Sequence, residues 1–371
     1  AYPQLYLMYN ASVNMLCMAK NLYYFREEEE EYVPYYNDRY SMPYPAYVDG
    51  LHYFKHSHLP ERLTVFGVVQ RRQDIVNAEE LRDIISYTMI TRTFTEVTGK
   101  SLERRSEIRA IMTPAELAIY EVAVKRFDSL LKEYFKSLNM SARKLAQAKI
   151  IAQIKIMLRI CTCATVLKDY RGGPMTGKLE AIFGKIRENP GKRVAIGVRQ
   201  NRIVRAYADV ARQYFPGRPI FTVTGSEYQP HQRRDLIYGR FEDYDDSILI
   251  CTQQSLCESI SIDSVDDCFI SEFHWNDSRM AQFYYRFIRY TSTRQKNIYY
   301  VNYPDSIETN LIYLLVAKER MLRFLKGQNI TFEDLFEEMG FELAHHQGAV
   351  FKTYDEDGHM QLYWGKQQIA A

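Results

Sequence analysis

"RVAIGVRQNRIVRAYADVARQYFPGRPIFTVTG" occupies residues 193–225. It opens on an apolar run, passes through the helix-like segment "NRIVRAYADVARQYF", and closes on a second β-rich run. A short apolar run, a helix-length connection and another apolar run is the signature of two parallel strands joined by a crossover. The same rhythm continues downstream. "SILICT" (247–252), "DCFISEF" (267–273) and "NIYYVNY" (297–303) read as further strands, separated by "PHQRRDLIYGRFED" and by "WNDSRMAQFYYRFIRYTSTRQ" (275–295). The expectation is an α/β fold, a parallel sheet with helices on both faces, in which functional groups gather at the C-terminal ends of the strands.

Upstream the pattern is helical. "AEELRDIISYTMI" (78–90) is amphipathic, and "TPAELAIYEVAVKRFDSLLKEYFKSL" (113–138) starts with Thr113 as N-cap, Pro114 in the first turn and Glu116 three residues after the cap. "SARKLAQAKIIAQIKIMLRICTCATVL" (141–167), with Ser141 as its cap, completes a helical hairpin. "KDYRGGPMTGK" (168–178) reads as a linker. Four segments are therefore expected: an irregular, Tyr-rich 1–77, with the acidic run Glu27–Glu31 as a solvated face or helix start; a mostly helical 78–170; the sheet over 171–328; and an extension, 329–371, holding a short helix and a hairpin or tail.

Composition sets broad bounds. With 371 residues, 46% hydrophobic and 25% charged, the chain has ordinary globular values and more length than one core needs. A net charge of +2 decides nothing about a phosphate-bearing partner, because local clustering of Lys and Arg governs that affinity. The six cysteines show no paired framework, and Cys161 with Cys163 lacks the second pair a zinc site needs; reduced thiols in an intracellular setting, cytoplasm or nucleus, are expected. No apolar run reaches the ~18–20 residues of a membrane span.

Two stretches imitate phosphate-binding loops. "TGKS" (98–101) has Phe94 where the motif needs Gly, and "GGPMTGK" (172–178) has the wrong spacing with Leu179 in place of a hydroxyl. Both read as turns. His345 and His346 have no ligand partner at metal spacing and read as exposed.

The remaining candidates lie at strand ends. Thr252, Gln253 and Ser255 follow "ILIC", where short donors meet phosphate or sugar oxygens; a Gly-Ser turn follows "TVT", with Arg234 on the next helix. Gln282, Arg286 and Arg289 fall at i, i+4 and i+7, so on a continuous helix they share one stripe, beside an apolar stripe of Phe283, Phe287 and Tyr290. The polar stripe is either the solvated side of an amphipathic helix or a set of groups aimed at a polyanion.

In this order the segments resemble the second, RecA-like motor lobe of helicase superfamily two, most closely the Swi/Snf-type ATPases that translocate on duplex DNA. The resemblance spans roughly residues 80–328. It is carried by "LRDIISYTMITRTFTEVTGKSLERRSEIRAIMTPAELAIY", "AQIKIMLRICTCATVL", "KLEAIFGKIRENPGKRVAIGV", "TVTGSEYQPHQRRDLIYGRF" with Arg234 as the motif arginine, "ILICTQQSLCESISIDSVDDCFISEFHWN" as motif five with its continuation, and "QFYYRFIR" as motif six. The resemblance implies that Arg286 and Arg289 reach ATP phosphates across an inter-lobe cleft, that Gln282 positions the nucleotide or a finger, and that Thr252, Ser255 and Arg234 grip the nucleic-acid backbone or support the loops that do. It also implies ATP and Mg²⁺ as cofactors, held with a first RecA-like lobe.

The departures are Ser259 for a motif-five Gly, Asp277 for a Pro, and "RYTSTRQ" for "R-I-G-Q". The first lobe's phosphate loop and its "D-E-x-H" carboxylates are absent, so the 371 residues alone are expected not to hydrolyse ATP. The expectation is the C-terminal portion of a longer ATPase. The alternatives are a degenerate, non-catalytic nucleic-acid-binding or interaction module of a viral or transcriptional assembly, and an unrelated α/β enzyme.

Overall fold

A computed structural model describes residues 78–86, 94–136, 140–256, 260–275, 277–304 and 306–346, positions 90 and 92, and seven short strands elsewhere. Most of the acidic run Glu27–Glu31, the stretch 41–50 and Ser259 lie outside the described residues. The chain divides into two units, Ala1–Thr93 with Ala317–Phe332, and Phe94–Val316 with Glu333–Ala371.

The first unit contains two hairpins, β1 (Leu22–Arg26) with β2 (Glu31–Tyr35) and β3 (Glu61–Thr64) with β4 (Gly67–Gln70), followed by helix α1 (Ala78–Ser86). The inner face of α1 buries Leu81, Ile84 and Ile85, and Arg82 lies over the Phe324 ring at 5.8 Å.

The second unit runs in order through α2 (Phe94–Thr98), β5 (Glu103–Arg109), α3 (Pro114–Lys136), α4 (Met140–Cys163), α5 (Gly177–Glu188), β6 (Val194–Val198), α6 (Asn201–Tyr214), β7 (Ile220–Val223), α7 (Pro230–Leu236), β8 (Ile248–Thr252), β9 (Asp267–Ile270), α8 (Asp277–Tyr284), β10 (Lys296–Asn302), α9 (Ile307–Leu325) and α10 (Phe332–Glu338). α7 continues into a π turn over Ile237–Phe241, and α9 extends past Val316 into the first unit. Strands β11 (Phe351–Tyr354), β12 (Met360–Trp364) and β13 (Gln367–Ile369) pair antiparallel, the hairpin expected near the C-terminus.

The sheet has six strands in the order β5-β10-β9-β6-β8-β7, and every neighbouring pair is parallel. This is the expected α/β lobe. Every residue of β6, β8 and β9 is buried, which is why these strands read as continuous apolar runs: a parallel sheet is covered on both faces. From β6 the chain moves out to β7 and back to β8, then crosses β6 to β9 and β10. The reversal of direction therefore falls around the ends of β6, β8 and β9.

Five strands lie where the sequence puts them. The sixth, β5 ("ERRSEIR"), comes from the segment 78–170 read as mostly helical and pairs with β10 from Lys296↔Glu103 to Asn302↔Arg109. It sits at the sheet edge, where charged residues are tolerated and discourage further pairing, so it carries no apolar alternation to betray it.

The hairpin of α3 and α4 forms as expected. Thr113 and Glu116 make a reciprocal capping box: the Glu116 N–H donates to Thr113 Oγ1 at 3.3 Å and the Thr113 N–H to Glu116 Oε2 at 3.0 Å. A cap of this kind contributes about 1 kcal/mol. Tyr120, Ala123, Phe127 and Leu131 on α3 bury at helical spacing, as do Ala146, Ile150, Met157 and Ile160 on α4. Gln153 of α4 donates to the Ala123 carbonyl at 2.9 Å between them. α4 begins at Met140, one residue ahead of the expected Ser141 cap.

Two expectations need correcting. The linker 168–178 ends inside the core: Thr176 and Lys178 are fully buried, Thr176 caps α5, and a Cβ at Gly177 would lie 1.8 Å from the Ile111 carbonyl oxygen. His346 is buried rather than exposed, with Nε2 2.7 Å from Glu107 Oε1 and Nδ1 3.2 Å from Thr309 Oγ1; the fold supplies the carboxylate that local spacing does not. The side chain of His345 lies outside the described residues. "TGKS" is a turn as read, closing α2, with Gly99 at φ +67° and its N–H donating to the Thr95 carbonyl.

Candidate functional site

Three strands of the sheet end together at its point of reversal, and a cleft of about 830 Å³ opens there. Arg199 and Gln200 follow β6, Gln253 and Gln254 follow β8, and Glu272, His274 and Trp275 follow β9; Lys155 and Arg159 of α4 and Ser278, Arg279 and Gln282 of α8 complete its walls. In a parallel α/β sheet this is the position where ligands bind, because the loops diverge and leave a crevice between them.

The floor is built around Glu272, a buried side chain at the end of β9. Its Oε2 accepts the backbone N–H of Arg199 at 2.7 Å and its Oε1 accepts Gln200 Nε2 at 3.3 Å. Gln253 Nε2 donates to the Glu272 carbonyl at 2.6 Å, joining β8 to β9. Burial raises the pKa of Glu272, and the Arg199 N–H with the positive charge of Arg199 holds it back only in part.

Beneath the floor, Lys178 donates to the Ser271 carbonyl at 2.8 Å and to Glu308 Oε1 at 2.6 Å. Its N–H donates to Tyr303 Oη at 2.9 Å, and Tyr303 donates to Glu116 Oε1 at 2.9 Å. Glu116 also accepts the Gly177 N–H at 2.9 Å. One polar network thus ties the start of α3 and the start of α5 to the turn that carries Glu272.

Four cations, Lys155, Arg159, Arg199 and Arg279, line the cleft against the single carboxylate of Glu272. Lys155, Arg199 and Arg279 are exposed, and Arg159 is half-buried with its Nε hydrogen unmatched by an acceptor. Such a surplus of positive charge in a concave site attracts a polyanion.

The structure places the expected site residues unequally. Gln282 is exposed on α8 and lines the cleft. Arg286 and Arg289 do not share its stripe, because α8 ends at Tyr284. The N–H groups of Arg286 and Phe287 turn back to the Phe283 and Tyr284 carbonyls, and the Arg286 carbonyl accepts the Ile262 N–H at 2.8 Å instead of continuing a helix. Arg289 reaches Ser261 Oγ at 2.6 Å and the Ile260 carbonyl at 3.4 Å. Phe283 and Phe287 are buried edge to face at 5.2 Å, and Gly197 makes room for the Phe283 ring, which a Cβ would meet at 2.4 Å. Tyr290, expected beside them, is 78% exposed.

Thr252 and Ser255 stand at the end of β8 as read, but both are buried and their hydroxyls face each other. Arg234 is exposed on α7. Its neighbour Arg233 takes the inward place, donating to the carbonyls of Ser255 at 3.1 Å, Tyr228 at 2.9 Å and Gly225 at 3.4 Å. Of the two adjacent arginines the spacing selects the exposed one, and the contacts to the neighbouring loops belong to the other. The cleft cations were missed altogether, although Arg199 directly follows an apolar strand and Lys155 and Arg159 lie one helical turn apart. Among the described residues no cluster of His, Cys, Asp or Glu is arranged to hold a metal ion, and no helix is long and apolar enough to cross a membrane.

No family model and no curated protein matches the chain. Among solved structures it is similar to the C-terminal part of the Fun30 ATPase domain, at 14% identity over 57% of this chain and 89% of that one, with a TM-score of 0.46. It is similar to the Sulfolobus solfataricus SWI2/SNF2 ATPase C-terminal domain, at 14% identity over 64% and 96% with a TM-score of 0.44. It is also similar to the Sulfolobus solfataricus SWI2/SNF2 ATPase core in complex with dsDNA, at 18% identity over 70% of this chain, with a TM-score of 0.48; the chain spans 55% of that core.

Proposed function

We propose that the chain is the second motor lobe of a nucleic-acid-dependent ATPase of the Swi/Snf type, and that the strand-end cleft is where it grips nucleic acid. The observation that carries this reading is the placement of Lys155, Arg159, Arg199 and Arg279 around the sheet's point of reversal with one buried carboxylate among them. The order of the motif-like segments along the chain supports it. ATP and Mg²⁺ belong in this reading to a first lobe. Arg286 and Arg289 then stabilise charge on the transferring phosphoryl group, and Gln282 belongs to the nucleic-acid side of the lobe.

Arg289 is already engaged by Ser261 and Ile260, and this favours, as a second reading, a binding module that no longer assists hydrolysis.

The test is nucleic-acid binding by the full chain across a salt series. Phosphate contacts make log affinity fall linearly with log salt, with a slope of about 0.7 to 0.9 per neutralised phosphate. Arg199→Ala and Arg279→Ala are each expected to weaken binding and to flatten the slope by about 1. Binding that ignores salt, or variants with the parent slope, would overturn the assignment of this cleft.

A further inference from the structure

Among the described residues, Glu272 is the one carboxylate that lines the cleft, and it is held so that either of its charge states fits. We infer that the cleft takes up a proton together with its anionic ligand, and that Glu272 is the group that receives it. This rests on the proposed nucleic-acid role of the same cleft and adds its regulation by pH.

The hydrogen bonds of Glu272 come first. Its Oε2 accepts the Arg199 N–H at 2.7 Å, and this bond survives protonation, because a carboxylic acid keeps one oxygen as an acceptor. Its Oε1 faces the Gln200 amide at 3.3 Å, and that partner adapts. A glutamine amide carries donors on one side and an acceptor on the other, so Gln200 donates to the carboxylate and, turned over, accepts from the acid. A lysine in that place could only donate and would lose its bond on protonation. Glu308, bonded to Lys178 at 2.6 Å, is of that second kind.

The surrounding charges set the balance. Lys155 and Arg159 of α4, Arg199 after β6 and Arg279 of α8 line the same cleft, and Lys178 of α5 binds the Ser271 carbonyl just before Glu272. All five favour the ionised form. Glu308 of α9 opposes it, while the Tyr207 phenol of α6 stays neutral, its pKa pushed up first by burial. Burial of Glu272 itself outweighs the cations, and its pKa stands above the ordinary carboxylate value.

A polyanion in the cleft pushes the same way twice, by neutralising the cations and by adding negative charge of its own. Neither effect needs contact with Glu272, because charges act at a distance where the dielectric is low. The complex therefore holds the proton more tightly than the free cleft. Affinity then rises as the pH falls through the interval between the two pKa values, and is level outside it.

His274, two residues on, also lines the cleft, and histidine is the side chain that ordinarily changes charge between about pH 5 and 8. The test must separate the two. Binding of a DNA duplex of about 20 base pairs by the full chain is measured from about pH 5 to 8 at one ionic strength, with calorimetry in two buffers of different ionisation heat to count protons. The expected result is a fall in affinity of up to about tenfold per pH unit, with uptake approaching about one proton. Glu272→Gln keeps an acceptor for the Arg199 N–H and cannot ionise, so it should give a level profile and bind at least about tenfold more tightly than the parent at the alkaline end. His274→Gln should keep the parent's slope and proton uptake.

A level profile without proton uptake in the parent would overturn this inference and leave the nucleic-acid role standing. A slope that His274→Gln removes and Glu272→Gln keeps would do the same. Where Glu272→Gln does not fold, the proton count of His274→Gln decides: uptake retained supports Glu272, and uptake lost overturns it. Absence of binding at every pH would overturn both this inference and the role on which it rests.

Discussion

Lys178 and the cleft cations are separated by one layer of the same lobe and are bound by opposite rules. Lys178 has no exposed surface, and its ammonium is matched by the Glu308 carboxylate, the Ser271 carbonyl and the rings of Phe273 and Tyr303. Lys155, Arg199 and Arg279 sit in water around a cleft with one carboxylate for four cations. A buried charge must be saturated by its own protein, because an unpaired one costs several kcal/mol. Cations left in surplus around a cleft are, in the proposed function, matched by charge from outside. The contrast separates basic residues whose charge the lobe satisfies itself from those left in surplus, and residue type alone cannot make that separation.

The sharpest way to break this comparison is to remove Lys178. Lys178→Met leaves Glu308 buried without its partner, and a loss of about 3 to 5 kcal/mol in unfolding free energy is expected from urea denaturation. The double change Lys178→Met with Glu308→Leu should recover most of that loss, since an apolar pair of similar volume is often no less stable than a buried ion pair. Arg199→Ala, by contrast, should alter stability little and binding strongly. A Lys178→Met chain as stable as the parent would mean that the network is slack and the contrast false.

The next test concerns Arg286 and Arg289, which the fold separates from Gln282. With the chain joined to a lobe that binds ATP, Arg286→Ala or Arg289→Ala is expected to lower nucleic-acid-stimulated turnover at least about tenfold, since arginine fingers contribute about 10³-fold or more. Nucleic-acid affinity should stay near that of the parent, because neither residue lines the cleft. Turnover unchanged in both variants would favour the module that binds without assisting hydrolysis.

Legibility followed the same division between buried and exposed. The strands β6, β8 and β9 were readable because burial on both faces leaves continuous apolar runs, and the start of α3 because Thr113 and Glu116 form a local motif. The end of α8 was not readable, because the carbonyl of Arg286 is claimed by Ile262, 24 residues earlier in the chain. β5 was hidden by its charged edge position, and Lys178 by a partner at Glu308 that only the fold brings near. Helical spacing singles out Gln282, and of the cleft cations it reaches only Arg279, three residues earlier on the same helix; Lys155 and Arg159 come from α4 and Arg199 from the end of β6, and no periodicity connects these to it. What the sequence misses is what long-range contacts decide.

The smallest expected effect lies at the sheet edge, where Glu107 of β5 binds His346 and Asn302. Burial pushes the Glu107 pKa up, but the hydrogen bond from His346, the charge of His346 and the hydrogen bonds from Asn302 and the Glu342 N–H bring it below the usual carboxylate value. A carboxylate with a depressed folded-state pKa contributes stability that is present above its unfolded-state value of about 4.3 and is lost as the pH falls through the lower folded value. The parent should therefore lose more stability than Glu107→Gln as the pH drops below about 5, and the two unfolding curves should converge in acid. Hydrogen exchange of the β5 amides gives a local reading of the same event, with protection falling in the parent first at the β5–β10 pairing. Parallel pH profiles for the two proteins would show that Glu107 does not hold the edge strand. The pairing of β5 would then rest on its backbone ladder to β10, as its lack of an apolar face already suggests.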